Sequence, residues 1–396
     1  MNKSSRYDDL ELLRGLAAIA VVVYHLRRAF IPPQRAIPLS EAIGLSIEPP
    51  FVLALVNGPF MVTVFFVLSS FALTVKLLEV RSPGAVLIAM LKRFPRLFPL
   101  VLIGTLLPAL LFVGGLMWDQ EVAALIGSPW LDRSGGVKVH GDWPTPSLGG
   151  ALADSLLLFD RGFSQYNSVL WTMRYELLGS LIALGVAFVL AGKRRPVFDV
   201  AVTGVIAILA IKIHPLCSIC AATVLLTKYL RVSSITFSPP VATAMILAGL
   251  VLGSTYKPFP DEILADPEFG RYVPHLDWLI HGLGATILFL GVHRWRRASA
   301  PDWPFARLLG SLSFAVYVLH EPIIASLGSA IIAVMGYAVP SVIAAFVATA
   351  VATALLSLGV ARFDGWWVAR LNEAARAITS GRFALRGVQA RGTDAP

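Results

Sequence analysis

The sequence predicts an all-α, polytopic membrane protein with about ten transmembrane helices and both termini in the cytoplasm. Of its 396 residues, 56% are hydrophobic and only 14% are charged, whereas an average soluble domain has about 25% charged residues. The mean hydropathy is +0.73. Many apolar runs approach or reach the roughly 17 to 25 residues that a helix needs to cross a bilayer.

The net charge of +9 is explained by topology. Lysine and arginine fall in short clusters between apolar runs, as the positive-inside rule expects of cytoplasmic loops. Such clusters occur at residues 76–96, 193–195 and 294–297. We therefore expect the lipid bilayer as a partner and no nucleic acid.

The N-terminal half holds four predicted spans. No small-residue cleavage site follows the first apolar run, so we interpret this run as an uncleaved span that starts in the cytoplasm. The spans are expected at about residues 10–27, 51–75, 97–118 and 169–190. Prolines 32, 33, 38, 49 and 50 break the chain between the first two. The apolar run at 151–159 is too short to span and is interpreted as interfacial or re-entrant.

Six further spans follow, two of them short. They are expected at about residues 198–213, 216–230, 239–256, 276–292, 308–335 and 341–360. The first two form a hairpin that turns at His214 and Pro215, and an acidic outer loop is expected at residues 261–268. The spacing of Gly249 and Gly253 allows close helix approach. We divide the chain into a membrane-embedded domain, residues 1–361, and a basic cytoplasmic tail, residues 362–396, resting on anionic lipid.

Cys217 and Cys220 form a single Cys-x-x-Cys in an apolar run. A structural zinc site needs four ligands, so we interpret the pair as small core residues and expect no metal site. A metal or redox pair is the alternative.

Arg14 and His25 stand out because ionisable residues are costly at membrane depth. Eleven residues at about 100° each make three turns plus ~20°, so the two side chains share a helix face about 16 Å apart along the axis. A guanidinium near the cytoplasmic mouth suits a phosphate, and a neutral imidazole deeper in suits proton abstraction. Alternatively, the arginine snorkels and the histidine bonds a neighbouring helix.

The long outer loop before residue 168 carries four candidate ligand-binding residues. These are Trp130, His140, Asp142 and Trp143. They indicate either a site for a polar ligand or aromatic residues at a membrane interface.

Five segments carry polar residues in or beside the predicted spans. They are LELLRG at 10–15 followed by His25, FFVLSSF at 65–71, RFPRLFP at 93–99, NSVLWTMRYE at 167–176 and SFAVYVLHEP at 313–322. In this order they resemble the acyltransferase-3 family of multi-spanning bacterial membrane O-acyltransferases. The chain departs from the family pattern at Glu11, where aspartate is usual, and at Ser70, where glycine is usual.

The resemblance implies transfer of an acyl group, expected to be acetyl, from cytoplasmic acyl-CoA to a hydroxyl of a carbohydrate or glycolipid acceptor, in the bacterial cytoplasmic membrane. His25 would be the general base or an acyl relay, and Glu176 would tune or orient the site or pair with an arginine. Arg14, Arg93 and Arg96 would hold the donor phosphates. Acyl-CoA is a co-substrate, and no bound cofactor is expected.

Further residues are expected to support or line the cavity. These are Glu11, Tyr24, Ser69, Asn167, Trp171, Tyr317 and His320. Ser313, Tyr317 and His320 follow one helix stripe at i, i+4 and i+7.

Two other functions fit parts of the pattern. A transporter would use Arg14, His25, Glu176 and His320 as an ion or proton path, although no inverted repeat of broken spans is visible. A non-catalytic membrane sensor or assembly partner is the other alternative. No oligomeric state follows from the sequence.

Overall fold

The computed structural model describes residues 8–32, 50–79, 82–133, 135–139, 143–231, 233, 235–254, 273–295 and 304–391. Helices account for 83% of it, and the described ranges contain no strand. The predicted all-α class is therefore confirmed.

Within the described ranges, five helical segments are long and apolar enough to cross a membrane. They are Pro83–Val113, Ser168–Leu190, His275–His293, Pro304–Met335 and Val339–Ile378. Three shorter apolar helices are Gly58–Thr74, Pro196–Ile211 and Pro239–Gly253. These segments support an integral membrane protein, whereas the total of about ten spans and the side of each terminus stay predictions.

The described residues of the first half form eight α-helices. They are α1 Asp8–Phe30, α2 Pro50–Leu55, α3 Gly58–Thr74, α4 Pro83–Leu91, α5 Arg93–Val113, α6 Asp119–Ile126, α7 Pro129–Arg133 and α8 Leu148–Arg161. Local sequence explains several ends. The side chains of Asn57, Ser82 and Ser147 cap the starts of α3, α4 and α8. Gly127 and Gly162, with φ of 70° and 76°, end α6 and α8.

The second half begins with a 3-10 turn, Ser168–Trp171, which leads into α9. Its α-helices are α9 Thr172–Leu190, α10 Pro196–Ile211, α11 Pro215–Arg231, α12 Pro239–Gly253, α13 Val273–His293, α14 Pro304–Ile323, α15 Ser329–Met335 and α16 Val339–Arg391. A π-helical turn, Ile324–Gly328, joins α14 to α15.

The basic segment at 76–96 differs from the predicted cytoplasmic loop, because most of it is helical. Ser82 and Pro83 start α4, and α4 continues with only a short irregularity into α5. The long helical unit Pro83–Val113 is one candidate span. Its basic residues contact polar side chains of other helices, and carboxylates compensate the charges of Arg93 and Arg96.

Close helix contacts hold the bundle together at glycines. A side chain at Gly249 would place its Cβ 2.7 Å from the carbonyl oxygen of Gly284, so α12 and α13 touch backbone to backbone. This confirms the close approach predicted from the Gly-x-x-x-Gly spacing. The predicted hairpin at His214 and Pro215 is present as α10 and α11.

Helices α1 and α14 pack along each other. A Cβ on Gly15 would lie 2.5 Å from Cβ of Leu309, and a Cβ on Gly310 would overlap the side chain of Glu11. Since no larger residue fits at either position, these glycines set the distance between the two helices. That distance brings the later part of α1 against the later part of α14.

Helix α16 runs without a break past residue 361, where the sequence suggests a domain boundary. Beyond that residue it lies against the start of α5. The indole nitrogen of Trp367 donates to the carbonyl oxygen of Pro95 at 2.6 Å.

Some predictions fall outside the described residues. They concern prolines 33, 38 and 49, His140, Asp142, the acidic loop at 261–268, and Arg296 and Arg297.

Candidate active site

His25 and His320 form a hydrogen-bonded pair where α1 meets α14. Nδ1 of His25 lies 3.0 Å from Nε2 of His320. The ring centroids are 5.0 Å apart. The sequence selects both histidines, and the structure brings them together.

The neighbouring carbonyl groups determine which nitrogen of each neutral ring carries the proton. Nδ1 of His320 lies 3.1 Å from the carbonyl oxygen of Val316. Because a carbonyl oxygen only accepts, Nδ1 donates there and Nε2 of the neutral ring is left as an acceptor. Nδ1 of His25 must then be the donor in the pair, and it also faces the carbonyl oxygen of Val21 at 3.0 Å. Nε2 of His25 is consequently the unprotonated, basic nitrogen.

The two histidines differ in how far their side chains are exposed. His320 is fully buried, with 0% of its surface exposed, whereas His25 is half-buried. The His25 ring is flanked by the rings of Tyr24 and Trp130, with centroids 4.9 Å and 5.3 Å away. His25 is therefore the member of the pair that a bound molecule could reach.

An aromatic stripe on α14 extends from His320 toward Arg96. The Tyr317 ring is 6.0 Å from the His320 ring. The Arg96 guanidinium lies 5.7 Å from the Phe314 ring. From Phe314 to His320 the helix rises about 9 Å, so Arg96 approaches α14 within about two turns of the histidine pair.

Tyr317 also fixes the start of α9 against α14. Its hydroxyl group donates to the carbonyl oxygen of Val169 at 2.7 Å and lies 2.9 Å from Oγ1 of Thr172. The buried phenol thus joins the stripe to the 3-10 turn.

At the opposite end of this stripe is a cavity of about 380 Å³, here called the basic pocket. Lys92, Arg93 and Arg96 line it, together with apolar residues of α3 and α4 and with Val368, Leu371 and Asn372 of α16. Three cations, Lys92, Arg93 and Arg96, thus stand side by side at this cavity.

Each cation of the basic pocket has a protein partner. Nη2 of Arg93 lies 3.0 Å from Oε1 of Glu176, and its Nε donates to Oγ of Ser180 at 2.8 Å. Arg96 forms a two-pronged ion pair with Asp364. Lys92 donates to Oδ1 of Asn372 at 2.9 Å. Three cations therefore face two carboxylates, which leaves the pocket with an excess positive charge.

A protein-family model described as "Acyltransferase domain" matches residues 7–361, nearly the whole chain. The chain belongs to the acyltransferase-3 family. It is a membrane acyltransferase, and the enzyme interpretation is therefore favoured over the transporter and the sensor. No curated protein and no solved structure gave a match.

Several residues that the sequence assigns to one cavity lie apart in the acyltransferase. Arg14 pairs with Glu11 on the same helix, 3.3 Å apart, and does not line the basic pocket. Glu176 forms an ion pair with Arg93, and pairing with an arginine is one of the two roles expected for it. The side chain that forms a hydrogen bond with the His25 ring is His320.

The supporting residues occupy several places in the acyltransferase. Asn167 is buried and donates to the carbonyl oxygens of Gly104 and Val318, at 3.1 Å and 2.9 Å, so it ties α5 to α14. Trp171 packs in an aromatic cluster with Tyr175 and His214. Ser69 is half-buried on α3.

Glu321 is a buried residue of the acyltransferase that the sequence analysis missed. Its carboxylate accepts from the backbone nitrogen of Ser168 at 2.8 Å, from the Ser168 hydroxyl at 2.6 Å and from the backbone nitrogen of Val169 at 3.0 Å. It therefore caps the 3-10 turn and holds α14 to the start of α9. A carboxylate directly after His320, inside an apolar run, was the signal that could have found it.

Asp364 is a second missed carboxylate, and it stands in α16, within the candidate span Val339–Ile378. Cys217 and Cys220 are buried, and both thiols are free. Among the described residues no group of three or more His, Cys, Asp or Glu side chains is arranged to hold a metal ion.

Proposed function

We propose that this acyltransferase transfers an acyl group, expected to be acetyl, from cytoplasmic acyl-CoA to a hydroxyl of a carbohydrate or glycolipid at the bacterial cytoplasmic membrane. His25 is the general base. The observation that carries this proposal is the 3.0 Å hydrogen bond between His25 and His320, because it leaves Nε2 of the more accessible histidine free to take a proton.

In direct transfer the acceptor oxygen attacks the thioester carbonyl carbon while Nε2 of His25 removes the hydroxyl proton. The new C–O ester bond forms, the C–S bond breaks, and the proton passes from His25 to the leaving thiolate of coenzyme A. In a relay, Nε2 of His25 attacks first and coenzyme A leaves. The leaving thiolate takes a proton from water. The acceptor oxygen then attacks the acyl-imidazolium, the N–C bond breaks to restore neutral His25, and the hydroxyl proton passes to water.

The donor site is proposed at the basic pocket. Its cations suit the phosphates of acyl-CoA, since arginine can bind phosphate through two parallel hydrogen bonds. Donor phosphates would compete with Glu176 and Asp364 for Arg93 and Arg96. The pantetheine arm would follow the stripe of Phe314 and Tyr317 toward His25. The family resemblance also assigns Arg14 to donor binding. Arg14 does not line this pocket and would contact the donor outside it.

The proposal is tested with the full-length protein in nanodiscs and radiolabelled acetyl-CoA. Label transfer to an envelope extract and acetyl-CoA hydrolysis are measured for the wild type, for His25→Ala and for His275→Ala, in which an exposed histidine at the start of α13 is changed. We expect a loss of about 10² to 10⁴ in His25→Ala only, the usual contribution of a general base. Equal turnover in the two variants would contradict the role of His25.

Acid quenching and peptide mass spectrometry separate the two routes. An acetyl group on the His25 peptide before acceptor is added indicates the relay, whereas its absence during turnover indicates direct transfer.

A further inference from the structure

A second cavity, of about 290 Å³, lies in the segment between α5 and α8. We call it the loop pocket. It belongs to the end of the bundle where α1 ends, opposite the basic pocket. Its polar and aromatic lining residues include Gln120, Asp132, Arg133, Lys138 and Trp143.

Only one side-chain layer separates the loop pocket from His25. Gly135 lines the pocket, and a Cβ at this position would lie 2.7 Å from the Trp130 ring, so its backbone rests on that ring. Trp130 is 5% exposed, and its other neighbour is the His25 ring, 5.3 Å away between centroids. The order from pocket to base is therefore Gly135, Trp130, His25.

The pocket offers the groups that recognise a sugar ring. Asp132 and Arg133 lie 3.5 Å apart, and their side chains are 56% and 81% exposed. Both side chains are therefore accessible to a ligand. Trp143 offers an aromatic surface, with the Lys138 ammonium 5.8 Å from its ring centroid. A carboxylate, a guanidinium and a flat ring together suit a ligand with many hydroxyl groups and an apolar ring face.

Hydrogen bonds hold the pocket wall in place before any ligand arrives. The Lys138 ammonium donates to the carbonyl oxygen of Ser164 at 2.7 Å. The Gln165 amide nitrogen donates to the carbonyl oxygens of Lys138 and Pro144, at 2.9 Å and 2.6 Å. Burial lowers the pKa of Lys138, and the nearby carboxylates of Glu321 and Asp154 act in the opposite direction. The wall is thus tied to the segment that precedes α9 and is pre-organised.

We propose that the loop pocket binds a sugar ring of the acceptor that neighbours the ring reacting at His25, with Trp143 against the ring face and Asp132 and Arg133 on its hydroxyl groups. Trp130 is the positioning residue between the bound sugar and His25. This inference rests on the acyl transfer proposed above and assigns its acceptor to a site distinct from the basic pocket.

The experiment titrates an envelope extract from cells lacking the gene, using nanodisc-embedded protein and radiolabelled acetyl-CoA. The aqueous polysaccharide fraction and the organic glycolipid fraction are assayed separately, so that the labelled fraction identifies the source of the sugar. Trp143→Ala and Asp132→Asn are each expected to raise the half-saturating amount of extract at least 10-fold. Acetyl-CoA hydrolysis without extract should stay within twofold of the wild type.

Two controls make the result specific. Glu121→Gln changes an exposed carboxylate on the neighbouring α6 that does not line the pocket, and it should leave the titration unchanged. Trp143→Phe keeps a flat ring and should restore most of the binding lost in Trp143→Ala.

If Trp143→Ala and Asp132→Asn titrate like the wild type, the proposal that the loop pocket is the acceptor site is overturned. Equal loss of hydrolysis and transfer in these variants would also overturn it, because the defect would not be specific to the acceptor. A wild-type protein that neither hydrolyses acetyl-CoA nor labels the extract would instead refute the proposed function.

Discussion

The imidazole of His320 accepts a hydrogen bond from that of His25, a residue 295 positions earlier in the chain, across 3.0 Å. His320 in turn donates from Nδ1 to the carbonyl oxygen of Val316. This chain of hydrogen bonds selects one tautomer of His25 and one orientation of its ring. His320 therefore acts on the chemistry through His25 and is a positioning residue.

Changing His320 should lower kcat without changing the KM for acetyl-CoA. His320→Leu removes the acceptor for Nδ1 of His25, so we expect kcat to fall about 10- to 100-fold, less than for loss of the base itself. His320→Gln offers a side-chain carbonyl oxygen to the same donor and should recover part of the loss. Steady-state kinetics in nanodiscs measure both constants.

If His320→Leu and His320→Gln were equally impaired, a role of His320 in orienting His25 through this hydrogen bond would be refuted. A rise in the KM for acetyl-CoA would instead place His320 in donor binding.

Gly15→Ala should disturb the histidine pair from a distance. The added methyl group would meet Cβ of Leu309 and push α1 away from α14, at a cost of about 1 to 3 kcal/mol for overpacking. We expect a lower apparent Tm together with reduced transfer. Thermal unfolding and initial rates are measured on the same preparations.

The matched control is Gly84→Ala on α4, where a Cβ would meet no atom within 4 Å. It should be neutral or slightly stabilising, because alanine favours a helix over glycine. Equal effects of the two substitutions would argue against a close α1–α14 contact.

Arg96 and Asp364 should have opposite effects on the KM for acetyl-CoA. Arg96→Gln removes a cation from the basic pocket and should raise KM by about 10-fold or more, as expected for a charge-assisted hydrogen bond of about 1.5 to 3 kcal/mol. Asp364→Asn removes the carboxylate that competes with the donor phosphates and should lower KM. Initial rates against acetyl-CoA and against its 3′-dephospho analogue show which phosphate is involved.

Arg370→Gln is the control for this pair, since Arg370 is an exposed arginine of α16 that does not line the pocket. It should leave KM unchanged. A KM that rises equally in Arg96→Gln and Asp364→Asn would mean that the ion pair serves only the fold.

Glu321→Gln should destabilise the protein. An amide nitrogen would replace one of the two oxygens that accept from Ser168 and Val169, and a buried donor would then face another donor. Such an unsatisfied buried group costs about 1 to 3 kcal/mol. Glu373→Gln, at a carboxylate whose side chain is 53% exposed, should stay within about 0.5 kcal/mol of the wild type. The apparent Tm of each variant provides the comparison, and an unchanged Tm in Glu321→Gln would contradict the capping role.

The sequence by itself determined the helical membrane class and the family, and it singled out both histidines as candidate site residues. These properties are local, because hydropathy is a property of consecutive residues and each motif lies within one segment. The same reasoning predicted the α10–α11 hairpin and the close approach at Gly249. It did not predict the helix at the basic segment, where Ser82 and Pro83 start α4 ahead of the cations.

Only the tertiary structure decided which residues meet. It pairs His25 with His320, Arg93 with Glu176 and Arg96 with Asp364, and it places Trp130 between His25 and the loop pocket. The physical reason is that apolar helices have many similar faces, and hydropathy does not encode which faces pack together. In this chain the choice follows from steric details such as Gly15 against Leu309, which join segments almost three hundred residues apart.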